Sequence, residues 1–231
     1  MALTSRKLLI LALALIALIW QLPHGHQILY PFTLFATAAH ELGHGLTALL
    51  FGARFEALFL HADGSGMAVW QGSPGRIGTA LIAAGGLLGP TLAGTLLLLA
   101  ARNARRARGL LLLLAGLLLL CTLLWARNVF AIVFLLASAT LFALGAKVLS
   151  DALAAFFLHF LAALLCLSWF RDLDYLFSDS AIINGRVMLS DTAAISQALW
   201  LPYWFWGGTL AGLSFLLLAG GLWLATRQPG A

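Results

Sequence analysis

The sequence predicts an all-α fold: a polytopic helical membrane protein with about six to seven transmembrane helices and a short membrane-associated β-hairpin after the second helix. Three observations predict it. Of 231 residues, 62% are hydrophobic and only 9% charged, with a mean hydropathy of +1.00. A soluble domain is about one quarter charged, so a soluble globular enzyme is excluded, and so is a disordered chain. The apolar residues fall in runs of bilayer-spanning length, about 20 residues each. Those runs are apolar on every face, as in residues 109–124, whereas strands of a membrane β-barrel alternate.

The elements follow in order. Residues 8–22, behind Arg6 and Lys7, form the first expected span, and the break Pro23-His24-Gly25-His26 ends it. Residues 31–51 form the second and carry unusual polar groups. Residues 77–101 form the third, rich in glycine and interrupted at Gly89-Pro90. Residues 109–150 suffice for two spans with a tight turn near Arg127-Asn128. Residues 152–170 and 204–225 complete the set. Residues 55–71 are too polar and broken to span; Asp63-Gly64-Ser65-Gly66 is turn chemistry between β-compatible flanks, which reads as a hairpin. Residues 171–189 are polar, with a turn signal at Asn184-Gly185. No repeat or linker is visible, so 1–231 reads as a single integral membrane domain.

Thirteen Lys and Arg against eight Asp and Glu leave a net charge of +5. No basic platform interleaved with aromatics accompanies it, so a nucleic-acid partner is not expected. Arg102, Arg105, Arg106 and Arg108 instead cluster beside a span, where they meet lipid headgroups. With the amino terminus inside and all seven spans crossing, the thirteen cations divide seven inside against six outside, the arginine cluster among the six, which leaves the orientation open. Cys121 and Cys166 lie deep in apolar runs and read as packing residues. Lys147 and Asp151 have the spacing of an i,i+4 ion pair.

The chemistry lies in the second span, which reads Ala39-His40-Glu41-Leu42-Gly43-His44-Gly45. Residues at i and i+4 share one helix face, so His40 and His44 can reach one metal ion. Glu41 projects from an adjacent face, suited to a carboxylate base rather than a ligand. Two nitrogen ligands, a base and an open position for water are the needs of a metal hydrolase. An ionisable group at mid-bilayer costs about 3 kcal/mol and is usually functional. One of the chain's two glutamates is placed there. Gly43 and Gly45 serve either clearance around the site or close helix packing.

Zinc prefers a third protein ligand, and spacing does not choose among Asp63, Asp151, Asp172, Asp174, Asp179, Asp191, Glu56, His61 and His159. Context favours Asp191, which follows Ser190 and opens an apolar helical stretch. His159, alone among apolar neighbours, reads as a packed residue.

The chain resembles the site-2 protease group of intramembrane zinc metalloproteases, most of all its compact bacterial branch without a PDZ domain. The resemblance rests on 39–44, on the glycine-rich Gly85-Gly86-Leu87-Leu88-Gly89-Pro90, and on Ser190-Asp191-Thr192-Ala193-Ala194 before Leu201-Pro202-Tyr203-Trp204. It implies Zn2+ as cofactor, His40, His44 and Asp191 as ligands and Glu41 as general base. It further implies membrane proteins or peptides as substrates, and residence in the bacterial inner membrane. The chain departs from better-known members in having no Leu-Asp-Gly around the third ligand. Asn128 stands either in a turn or beside substrate, and the hairpin offers an edge strand that an extended substrate can join. The expected function is peptide hydrolysis within the bilayer. A metal-binding scaffold without catalysis and a small ion transporter are the alternatives. Oligomeric state is open.

Overall fold

Backbone groups inside hydrocarbon must be satisfied within their own segment, so the long apolar runs fold as helices. The computed structural model describes residues 5–226. Its order is α1 (Ser5–Trp20), α2 (Gly25–Leu50), the hairpin β1 (Arg54–Leu60) and β2 (Gly66–Gln71), and α3 (Gly75–Ala100). After a 3-10 turn at Ala104–Arg106 come α4 (Ala107–Leu124), α5 (Val129–Val148), α6 (Asp151–Arg171) and α7 (Leu173–Leu176). The chain ends with a second hairpin of β3 (Ser180–Ile183) and β4 (Arg186–Leu189), then α8 (Asp191–Leu199) and α9 (Tyr203–Thr226).

Among the described residues, five helices are long and apolar enough to cross a membrane: α3, α4 with its preceding turn, α5, α6 and α9. The two other expected spans correspond to α1, which is only 16 residues long, and α2, whose 26 residues include the polar motif. The third span is one continuous helix; Pro90 lies inside α3 rather than interrupting it.

Capping residues set the boundaries where apolar periodicity cannot. Asn128, Ser150 and Ser190 have extended backbones, and their side chains accept the amides of Ala131, Leu153 and Ala193, three residues on. Ser150 thereby separates α5 from α6. Lys147 and Asp151 consequently lie on different helices, and the expected i,i+4 pair is corrected: Asp151 pairs with Arg108 at 2.9 Å.

Helix α3 packs against α2, α6, α8 and α9. Its glycines bring α2 close: a Cβ on Gly89 would stand 2.6 Å from the Ala39 carbonyl oxygen, and one on Gly43 would collide with the Gly85 carbonyl. Gly45 faces the ring of Phe55 in the same way. Both glycines of the motif therefore serve close packing. Helices α4 and α5 form an antiparallel pair whose outer faces carry exposed Leu112, Leu113, Leu123, Val133 and Leu141, a surface suited to lipid.

The first hairpin has one covered edge. The Leu58 amide donates to the Trp125 carbonyl at 2.6 Å, and the Arg127 amide returns a bond to Leu58 at 3.2 Å. Asn128 clamps the end of β1, donating to the Leu60 carbonyl at 2.6 Å and accepting its amide at 3.4 Å. Leu58 thus spends its backbone groups away from β2. Its partner Ala68 turns its own outward on the opposite edge, as a non-hydrogen-bonded antiparallel pair requires.

Of the polar stretch 171–189, the first part ends α6 and forms α7, and residues 180–189 form the second hairpin. Asn184 and Gly185 both have positive φ, 48° and 75°, the backbone of a type I′ turn. The Asn184 amide donates to Ser65 Oγ at 3.2 Å, so the tips of the two hairpins touch. Helix α8 ends at Trp200, whose φ of 69° is left-handed. Arg76 holds that end: its Nε donates to the Ala198 carbonyl at 2.8 Å, and its guanidinium lies 3.8 Å from the Trp200 ring centroid.

Candidate metal centre

His40 and His44 stand one turn apart on α2, their rings at 76° and their Nε2 atoms 3.0 Å apart. Asp191, the first residue of α8, meets them from the other side of the molecule. Its Oδ2 is 2.9 Å from His40 Nε2 and its Oδ1 is 3.3 Å from His44 Nε2. Among the described residues these three form the one group of His, Cys, Asp or Glu able to hold a metal, with all ligand atoms within 4.8 Å of one another.

The donor set fits zinc. Ligands about 2.0–2.1 Å from a tetrahedral ion stand about 3.3 Å from one another, close to the separations found here. His44 Nδ1 donates to the Ile82 carbonyl at 2.8 Å, which puts the proton of the neutral imidazole on Nδ1 and turns Nε2 to the cluster. A carbonyl can only accept, so this bond sets the tautomer. Gly86 makes room for the imidazole: any Cβ there would collide with the His44 ring.

Glu41 is buried, only 6% exposed, and lines one cavity with Ala68 of β2. Gly66 lets the strand approach; a Cβ there would lie 2.7 Å from Glu41 Cγ and 2.7 Å from Thr37 Cγ2. Thr37 Oγ1 donates to the Gly64 carbonyl at 2.8 Å and ties the hairpin tip to α2. A cavity of about 190 Å³ holds His40, Glu41, His44 and Asp191. Met67, Ala68 and Trp70 of β2 form one wall, and Ile183, Met188 and Leu189 of the second hairpin form another.

The remaining carboxylates and histidines considered as ligands lie outside the cluster. Asp63 takes two bonds from Ser65 in the hairpin turn, and these hold its carboxyl below the usual carboxylate range. Asp172 is paired with Arg171 and Asp151 with Arg108. His159 is fully buried, bonded to Ser5 Oγ at 2.8 Å and to the Ala155 carbonyl at 2.7 Å. Asn128 is engaged in its cap on α5 and its clamp on β1.

Sequence reasoning missed Tyr175. Its hydroxyl donates to Asp191 Oδ2 at 2.9 Å and also lies 3.3 Å from the Asp191 amide. Its ring meets that of His40 edge-on, with centroids 6.1 Å apart. Nothing in the polar stretch 171–189 singles it out, because its value depends on how α7 folds back under α8.

Comparison with known proteins adds the family. The model of a family described as Peptidase M50B-like matches residues 9–221. No curated protein and no solved structure matches the chain. With that match covering almost its whole length, and with five apolar helices of membrane-crossing length, the chain is an integral membrane protein that belongs to the Peptidase M50B-like family, the site-2 protease group.

Proposed function

We propose that the protein is an intramembrane zinc metallopeptidase that hydrolyses peptide bonds of membrane-embedded proteins or peptides. The observation that carries this reading is the convergence of His40, His44 and Asp191 on one point, with buried Glu41 beside them in the same cavity. His40, His44 and Asp191 would hold the ion, and family membership supports zinc as its identity. A zinc ion bound there supplies Lewis-acid polarisation of a carbonyl and activation of water near neutral pH.

The chain's own groups do the rest. Glu41 is the general base: it takes a proton from the attacking water and delivers it to the departing amine. The close approach of β2 at Gly66 packs the strand against its side chain and couples the carboxylate to β2. The covered edge of β1 leaves β2 as the edge facing the cavity, where an extended substrate adds as a further strand. That requires local unwinding of a transmembrane helix, whose peptide bonds are otherwise shielded. The bacterial inner membrane is the proposed location.

The test uses purified protein in detergent and a membrane-embedded peptide. Glu41→Gln is expected to abolish cleavage while retaining zinc at about one ion per chain, and His44→Ala to lose the ion. Full cleavage by Glu41→Gln refutes the base. Equal zinc content in wild type and His44→Ala refutes the metal centre and leaves the ion path.

A further inference from the structure

We infer that Tyr175 is a positioning residue of the metal centre, which fixes the plane of the Asp191 carboxylate against the two imidazoles. The inference rests on the reading of His40, His44 and Asp191 as a metal site.

Asp191 arrives on α8, a helix of nine residues that meets α2 across the cavity. A carboxylate on a short helix can swing about two side-chain torsions, and a ligand needs them fixed. On α2, packing glycines and the Ile82 carbonyl do this for His44. For Asp191 the corresponding group is the Tyr175 hydroxyl. It donates to Oδ2 at 2.9 Å, while Oδ1 faces His44 Nε2 at 3.3 Å. Oδ2 also stands 2.9 Å from His40 Nε2, so the phenol fixes the carboxylate plane with Oδ2 toward His40 and Oδ1 toward His44.

Tyr175 is itself held from several sides. Its ring packs edge-on against His40. Its hydroxyl spans the Asp191 side chain and amide. The segment between Tyr175 and Asp191 is closed at its base. There Ser190 Oγ donates to the Ser178 carbonyl at 2.6 Å, Thr192 Oγ1 donates to the same carbonyl at 3.2 Å, and the Ser190 amide donates to Asp179 at 3.2 Å. The phenol therefore reaches the carboxylate from a rigid platform. A hydrogen bond to a ligating carboxylate commonly contributes ten- to a hundredfold in metal affinity.

The test is zinc affinity by chelator competition on the detergent-solubilised full chain, with Co2+ as an optical probe. Tyr175→Phe keeps the ring on His40 and is expected to bind zinc about ten- to a hundredfold more weakly, with helix content unchanged by circular dichroism. At saturating Co2+ its visible absorption band is expected to shift, since the released carboxylate changes the ligand field. In an Asp191→Asn background, Tyr175→Phe is expected to add no further loss, because the bond acts through the carboxylate. A further loss there identifies a merely structural tyrosine and overturns the inference. So do wild-type affinity and an unshifted band in Tyr175→Phe. If that variant loses helix content, a fluorinated tyrosine at 175 alters the donor alone, and an unshifted cobalt band then overturns the inference. Zinc bound by wild type but unaffected by position 175 refutes this role only. No zinc bound by wild type refutes the metal centre and this role together.

Discussion

Glycines at Gly66 and Gly86 make the site possible by what they lack. Each faces a polar side chain of α2, and a methyl group at either position would have to displace it. The two substitutions separate the two halves of the chemistry. Gly86→Ala presses on the His44 ring and is expected to weaken zinc at least tenfold in a chelator competition. Gly66→Ala presses on Glu41 and Thr37 and is expected to leave zinc binding near wild type. Its cleavage rate is expected to fall by about a hundredfold, the usual cost of an ångström-sized misplacement. Equal effects of both on zinc would show that Glu41 and the ligands are not independently held. The motif itself was readable, because the i,i+4 spacing of His40 and His44 needs only helical geometry. The roles of Gly66 and Gly86 were not, since each depends on a partner element some 25 to 42 positions away in the chain.

The first hairpin is an element with one edge closed and one open. Residues 125–128 close the β1 edge through Leu58 and Leu60. Asn128 has two duties there, capping α5 and clamping the end of β1. Asn128→Ala removes both and is expected to destabilise the protein by about 1 kcal/mol from the lost cap alone. Because the hairpin bears on Glu41 and not on the ligands, cleavage is expected to fall while zinc affinity stays within about twofold of wild type, less than the loss of a group that orients a ligand would cause. A parallel loss of both would refute that division. The hairpin was expected from its turn residues at 63–66, and the structure forms it at Arg54–Leu60 and Gly66–Gln71. The second hairpin was visible only as a turn signal, because its short strands are surrounded by polar residues and have no alternating apolar face.

The molecule as a whole is tied together by the centre. Helix α2 supplies two groups of the cluster and α8 the third, and α3 lies between them, packed on both. An ion held by all three adds a cross-link between distant parts of the chain. At zinc about a hundredfold above its Kd, the folded state is expected to gain about 2.7 kcal/mol. Thermal unfolding in detergent should therefore shift upward with zinc and downward with chelator, and His44→Ala should show neither shift. A zinc-dependent shift in that variant would place the ion elsewhere.

Composition and run length sufficed for the membrane class, for the order of the spans and for the histidine pair, because all three depend on local hydrophobicity and helical periodicity. Spacing alone left Asp191 among nine candidates, favoured only by its context and by the resemblance, and it left Gly43 and Gly45 with two readings and Tyr175 unseen. Those outcomes required knowing which helices touch. Asp191 reaches His40 across 151 positions of chain, through the packing of α8 on α3. No local pattern encodes that distance, since it follows from the close approach that glycines allow between helices and from caps that start α8 at the right depth.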